Sequence, residues 1–191
     1  MRKTLREVLQ TVLLALVLFS GLQATLQNYR VEGSSMVPTL ANGEYLMVNK
    51  LAYYHVDRLR LARYVPFVAA GEREESYLFN PPKLGEVIVF RYPKDPTRNF
   101  VKRVIAVPGD AVEIRSGSVF VNDRQVQEPY LAEPPIGTRM ERRTMGHDEF
   151  FVMGDNRLQS NDSRSWGPVP LENIIGRVWV SYWPLSQMAL F

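Results

Sequence analysis

The sequence predicts a mainly β domain, a barrel or sandwich, behind one N-terminal membrane-crossing helix. Three observations carry this class. An uncharged, largely apolar stretch of nineteen residues runs from Val8 to Leu26. Beyond it, short runs rich in β-branched and aromatic residues recur between Gly, Pro and Asn-Asp signals. Thirteen prolines argue against a helical body. A chain of 191 residues has room for one ordinary domain with a small inserted subdomain.

The N-terminal element comes first. Nineteen helical residues span about 28 Å, close to the hydrocarbon thickness of a bilayer. Eleven of them are Val, Leu or Phe, which favours insertion. Arg2, Lys3 and Arg6 flank the stretch on its N-terminal side, which predicts the N-terminus inside and the rest outside. The expected organisation is a basic tail over 1–7, an anchor over 8–27 and a β-rich extracytoplasmic domain over 28–191. A cleavable signal peptide is the second reading, because Val12–Phe19 has the length of an h-region. Leu22-Gln23-Ala24 is a poor small-x-small site, so the uncleaved anchor ranks above it. A buried core helix ranks third.

The strands follow in order. Tyr45–Val48, Glu86–Tyr92, Val101–Val107, Ala111–Arg115, Ser118–Asn122, Glu149–Met153 and Ile175–Tyr182 are the candidates. Val112 and Ile114 alternate with charged neighbours, and Val119 and Val121 alternate on the return, so Ser116-Gly117 reads as a hairpin turn. Two insertions are expected, over about 52–82 and 110–148. The first carries the apolar run Val65–Ala70 beside Arg58, Arg60 and Arg63, with a short basic helix over Tyr54–Tyr64. It is a solvated excursion in one reading and a membrane-surface lip in the other. Within the second, Glu128–Gly146 reads as an irregular, proline-containing loop.

Composition excludes several chemistries. With no Cys there is no disulfide, thiol catalysis or Cys-ligated metal. His55 and His147 are too few for a His-only metal cage. A net charge of +3 is too small to argue for nucleic acid and suits an anionic membrane surface.

Three segments can carry chemistry. Gly33-Ser34-Ser35-Met36-Val37-Pro38 places a serine on a tight segment, where a hydroxyl sits beside free backbone N–H groups. An ordinary turn is the competing reading. Val101-Lys102-Arg103-Val104-Ile105 sets two cations in an otherwise apolar strand. Ordinary lysine is neutral about one time in 2,500 at neutral pH, and burial raises that fraction. Alternation leaves both faces apolar and does not decide which cation is buried, and on this pattern alone a solvent-facing Lys102 is the favoured reading. The third is the polar loop Met153–Gly167, where Asp162 and Arg164 can pair and Ser160 can orient an amine; a satisfied structural loop is the default reading of it.

In order behind an N-terminal anchor, these segments resemble the boxes of type I signal peptidases, membrane-bound Ser-Lys proteases. Ser35–Leu40 resembles the nucleophile box and Gly43–Lys50 the strand after it. Lys102–Asp110 resembles the lysine box, and Gly154-Asp155-Asn156-Arg157 with Ser160, Asp162, Ser163 and Arg164 the last box. The resemblance covers nearly the whole chain. It implies a signal-peptidase-like β fold with a small inserted β subdomain. It implies Ser35 as nucleophile, neutral Lys102 as general base, Ser160 holding the amine, and Asp162 with Arg164 bracing the site. The Ser35 N–H would be one oxyanion donor. Gly33 stands where some members carry a second donor serine, so a water or a backbone group is expected in its place. Met36, Leu40, Phe100 and Val101, which flank the dyad, are expected walls of shallow pockets for small residues. The implied substrates are secretory preproteins cut after small-x-small sites at a bacterial cytoplasmic membrane, with the bilayer itself as a partner. No metal, organic cofactor or nucleic acid is implied, and oligomeric state is left open.

Four rival readings compete on sequence. A self-cleaving Ser-Lys repressor-type protease would carry a DNA-binding helix-turn-helix where this chain has its apolar segment. A Ser-His-Asp hydrolase would use Ser35 with His147 and Asp155. An anchored β domain could bind export substrates without cleaving them, but would not require both the serine and the lysine. A basic nucleic-acid-binding β domain ranks lowest, because the arginines are scattered.

Overall fold

The computed structural model describes residues 2–53, 55–56, 76–77, 80–133 and 137–191. The apolar N-terminal stretch forms helix α1, Arg2–Thr25. Its Arg6–Gln23 portion is long and apolar enough to cross a membrane. Every large apolar side chain from Val8 to Leu22 that packing would bury is at least 50% exposed. That removes the core-helix reading. Thr25 Oγ1 donates to the Leu22 carbonyl at 2.9 Å, and the chain passes directly into strand β1, Leu26–Arg30.

The body is β structure. In chain order the strands are β2 (Tyr45–Asn49), β3 (His55–Val56), β4 (Ser76–Tyr77), β5 (Val87–Tyr92) and β6 (Asp95–Ala106). Then come β7 (Ala111–Arg115), β8 (Ser118–Val121), β9 (Arg124–Gln125), β10 (Met140–Thr144) and β11 (Glu149–Met153). β12 (Val169–Pro170), β13 (Ile174–Trp183) and β14 (Ala189–Leu190) complete the chain. An eight-stranded antiparallel sheet runs β1-β2-β13-β5-β6-β11-β12, with β14 beside β13. A four-stranded sheet runs β10-β7-β8-β9, and β3 pairs β4.

Both faces of the large sheet are covered, which explains why β5 is apolar at every position from Val87 to Phe90. Val87 and Val89 join Leu46, Val48 and Val178 in one core. Ile88 and Phe90 join Val104, Phe150 and Val152 in another. A third core, with Ile105, Phe151 and Met153, ties the large sheet to Val112, Ile114, Val119 and Val121 of the small one. The two-faced burial also settles the β6 cations. Lys102 lies opposite Ile88 and Arg103 opposite Val87, and both side chains are sheltered, one on each face.

The hairpin at Ser116-Gly117 is present, with φ of +49° and +89° as a tight two-residue turn requires. One expectation changes. The Glu128–Gly146 segment, read as irregular, contains strand β10, which pairs with β7 and completes the small sheet. Its residues Glu141, Arg142 and Arg143 are exposed, so no apolar alternation marked the strand. In the first insertion, Tyr53 packs into the core and its hydroxyl donates to Glu86 at 2.6 Å. Of the helix expected over Tyr54–Tyr64, the described part, His55–Val56, is instead strand β3 paired with β4, while the Val65–Ala70 run, Arg58, Arg60 and Arg63 lie outside the described residues.

Candidate active site

The Ser35 turn is built by burying its neighbours. Met36 is 1% and Leu40 0% exposed, so both side chains anchor the segment in the core. The Val37 N–H donates to the Ser34 carbonyl at 3.2 Å, and the Leu40 N–H to the Met36 carbonyl at 2.9 Å. Gly33 enters the turn at φ +95°, where a side chain would be strained, and its N–H donates to Asn42 Oδ1 at 2.9 Å. Ser35 is thereby left facing a cleft.

Lys102 reaches it from β6. Its Nζ lies 2.6 Å from Ser35 Oγ and 2.9 Å from the Val101 carbonyl oxygen. The residue is 4% exposed, and the Phe100 ring lies 5.5 Å from the nitrogen. Burial disfavours the ammonium and lowers its pKa to about 8, while the carboxylates of Asp162 and Asp155 pull the other way. At pH 7 roughly a tenth of such amines are neutral, against a few in ten thousand for exposed lysine.

The last loop closes over this pair. The Asn156 N–H donates to the Ser35 carbonyl at 3.0 Å. Asp162 caps the helical turn Ser163–Trp166 and accepts from the Gly154 N–H at 3.1 Å. Arg164 grips Asp162 with both ends of its fork, Nε and Nη2 each at 2.7 Å. Ser163 Oγ accepts from the Val152 N–H at 3.0 Å, which ties the loop to β11. Gly154 sits where nothing larger fits: an added Cβ would run into Ser160 Oγ and the Ser35 carbonyl oxygen. Ser160 Oγ is buried beside it and bonds to no protein group among the described residues. The structure therefore brings Ser35 and Lys102 together and pairs Asp162 with Arg164. It places Ser160 under the turn without a hydrogen bond to Lys102.

A cavity of about 470 Å³ opens over Ser35 and Lys102. It is lined by Tyr29–Ser34, Asn99–Val101, Gln159 and Asn161, with the buried Leu46 and Val89 as apolar floor. β1 pairs only with β2, and residues 99–102 of β6 pair only with β5, so two free strand edges border the cleft among the described residues. Of the four expected pocket residues, Phe100 and Val101 line the cavity. Met36 and Leu40 do not, because their packing is what holds the turn.

Sequence reasoning missed the ion pair beneath the site. Arg103 donates to Asp155 through Nε at 2.9 Å and Nη2 at 2.6 Å, and through Nη1 to the Gly85 carbonyl at 2.8 Å. Thr39 Oγ1 donates to the same carboxylate. A second charge in an apolar strand was the available signal, since buried charges require partners. Asp155 is committed to this pair. His147 is exposed and bonds Asp148 at 2.9 Å, so the structure does not assemble the Ser35-His147-Asp155 alternative. No three His, Cys, Asp or Glu side chains converge as metal ligands among the described residues.

The chain is similar to known proteins over most of its length. Residues 2–183 match the family described as signal peptidase, peptidase S26. A signal peptidase I of Leptolyngbya laminosa is 33% identical over 96% of this chain and 82% of its own length. One from Bacillus caldolyticus is 35% identical, covering 85% of this chain and 82% of the relative. The thylakoidal processing peptidase 1 of Arabidopsis thaliana is 36% identical over 83% of this chain and 42% of its own. Among solved structures, a signal peptidase I from Enterococcus faecalis V583 aligns with a TM-score of 0.47 at 27% identity, covering 51% of this chain and 97% of that one. The chain belongs to the signal peptidase family, peptidase S26, and is a hydrolase of the signal peptidase I class.

Proposed function

We propose that this chain is a membrane-anchored endopeptidase that removes N-terminal signal peptides from secretory preproteins, with Ser35 as nucleophile and neutral Lys102 as general base. The observation that carries the reading is the 2.6 Å approach of Lys102 Nζ to Ser35 Oγ in a setting that is 4% exposed. Lys102 takes the hydroxyl proton as Ser35 Oγ attacks the scissile carbonyl. The resulting ammonium gives that proton to the leaving amine. Water, deprotonated by the same lysine, then hydrolyses the acyl-enzyme. The Ser35 N–H, which has no acceptor among the described residues, is one oxyanion donor.

The substrate lies extended between the free edges of β1 and β6, adding main-chain hydrogen bonds to both. The floor of Leu46 and Val89 is shallow, because both residues belong to the buried core, and it admits small side chains while excluding large ones. Asp162 with Arg164 braces the last loop, and Ser160 meets the lysine amine when substrate is bound.

The helix suits this role. Tyr29, on the cleft wall, follows the last residue of α1 by four positions, so the site begins close to where the chain would leave a bilayer. Confinement of enzyme and signal peptide to one membrane raises their effective concentration. The basic flank supports an orientation with the N-terminus inside and the catalytic domain on the extracytoplasmic face of the cell membrane. The test is cleavage of a preprotein bearing an Ala-x-Ala site, in liposomes, followed by sequencing the product's N-terminus. A cut after the second Ala is expected. Binding of the preprotein without any cut would replace this reading with an anchored binding module.

A further inference from the structure

The segment that follows β9 leaves the small sheet and lies against the catalytic loop. Glu128 and Arg157 meet there with side chains only 7% and 5% exposed. Arg157 Nη1 donates to Glu128 Oε2 at 3.0 Å, and Nη2 donates to Oε1. Arg157 Nε also donates to the Gly154 carbonyl at 3.3 Å, and its own carbonyl accepts from Arg164 Nη2 at 2.8 Å. Tyr130, two residues on, donates its hydroxyl to Glu128 Oε1 at 2.9 Å. Its ring lies under the Arg103 guanidinium, 4.0 Å from centroid to Cζ.

Both sets of contacts lead on towards the Ser35–Lys102 pair. Arg157 shapes the turn whose Asn156 N–H holds the Ser35 carbonyl. The Tyr130 ring covers one face of Arg103 and excludes water from it, which keeps the fork on Asp155. Two carboxylates, each held by its own cation, bear on Lys102. Asp155 and Asp162 act on it directly. Arg103 and Arg164 are the cations that pair them. Ser35 Oγ, the Val101 carbonyl and the Phe100 ring complete its surroundings.

We propose that Glu128 and Tyr130 are positioning residues for the peptidase reaction. They hold Arg157 and Arg103 so that residues 154–157 stay docked on the Ser35 carbonyl and Asp155 stays paired. The inference rests on the Ser35–Lys102 reading for its kinetic consequence, and on the contacts alone for the docking.

The test uses the full chain in detergent micelles, as wild type, Tyr130→Leu, Tyr130→Phe, Glu128→Gln and the double variant Glu128→Gln/Arg157→Gln. Melting temperature, kcat, KM and the pH profile of kcat/KM are measured, with hydrogen exchange at the Asn156 amide. Tyr130→Leu is expected to lower kcat about tenfold with KM within about twofold, since small misplacements at a catalytic site cost rate rather than ground-state binding. Its acidic limb moves to higher pH, because a less well paired Asp155 favours the lysine ammonium. Tyr130→Phe keeps the ring and restores most of kcat. Glu128→Gln strands a buried Arg157. The double variant removes both charges and keeps the fold, yet stays slow because the Gly154 carbonyl is no longer held. Exchange at Asn156 quickens in Tyr130→Leu and in the double variant, and this is read without any activity. The proposal is overturned if Tyr130→Leu and the double variant keep wild-type kcat, acidic limb and Asn156 protection. Losses that merely follow melting temperature and vanish on cooling also overturn it. A folded wild type that cuts no preprotein counts against the peptidase reading, while the Asn156 exchange still decides the docking.

Discussion

Lys102 Nζ and Ser35 Oγ stand 2.6 Å apart although 67 residues separate them in the chain. The contact exists because two unlike elements converge. One is a turn fixed by buried Met36 and Leu40; the other is a strand apolar on both faces. A lysine in that strand has nowhere to go but the interior, and the serine is the polar group it meets there.

The first prediction concerns pH. If the neutral amine is the base, kcat/KM rises tenfold per unit below the Lys102 pKa and levels near pH 8, the value to which burial lowers the group. A profile that levels near pH 6.5, or continues to climb past pH 10, contradicts this assignment.

Stability gives the second. The lysine pKa is about 8 folded and 10.5 unfolded, so the folded state binds fewer protons between these values. The cost of the buried ammonium is therefore fully present below pH 8 and fades as pH rises towards 10.5. The full shift corresponds to about 3 kcal/mol as an upper figure, reduced in practice by hydrogen bonds that the ammonium makes. Lys102→Met should be more stable than wild type at pH 7 by about 1–3 kcal/mol, with the difference shrinking toward pH 10. Denaturant midpoints at both pH values decide it, and a variant less stable at pH 7 refutes it.

Gly154 supplies the third. Its added Cβ would meet backbone at Ser35 as well as the Ser160 side chain, so the loop must retreat from the turn. Gly154→Ala should lose at least about a hundredfold in kcat, in line with ångström-scale misplacement at a reacting centre. Activity within threefold of wild type would show that the loop tolerates the shift.

The fourth separates the buried pair from the exposed histidine. Asp155→Asn leaves the sheltered Arg103 unpaired and should cost about 3–5 kcal/mol of stability. His147→Gln should change neither stability nor cleavage. An inactive but folded His147→Gln would revive a histidine-based scheme.

Much of this was legible in the sequence, for identifiable reasons. The apolar helix, the β class and the Ser116-Gly117 hairpin follow from local pattern. Ser35 and Lys102 sit in local anomalies, a tight Gly-Ser-Ser turn and a cation in an apolar strand, but each alone reads as ordinary structure, and it is the resemblance of the ordered boxes that singles them out. What stayed hidden depends on contacts across the fold. Arg103 and Asp155 are 52 residues apart, and period-2 alternation treats both faces of β6 alike. Glu128 and Tyr130 sit in a proline-containing stretch that reads as a loop, and only the folded chain shows them against Arg157 and Arg103. Met36 and Leu40 were expected at the pocket because they flank the serine, but adjacency in sequence put them behind it.

The most direct test compares wild type, Ser35→Ala and Lys102→Met on an Ala-x-Ala preprotein, with folding of each variant checked by circular dichroism. Met keeps the length and apolar stem of lysine while removing its amine. The account predicts that wild type cuts after the second Ala and that both folded variants are inactive. Cleavage by Lys102→Met at near wild-type rate would contradict it.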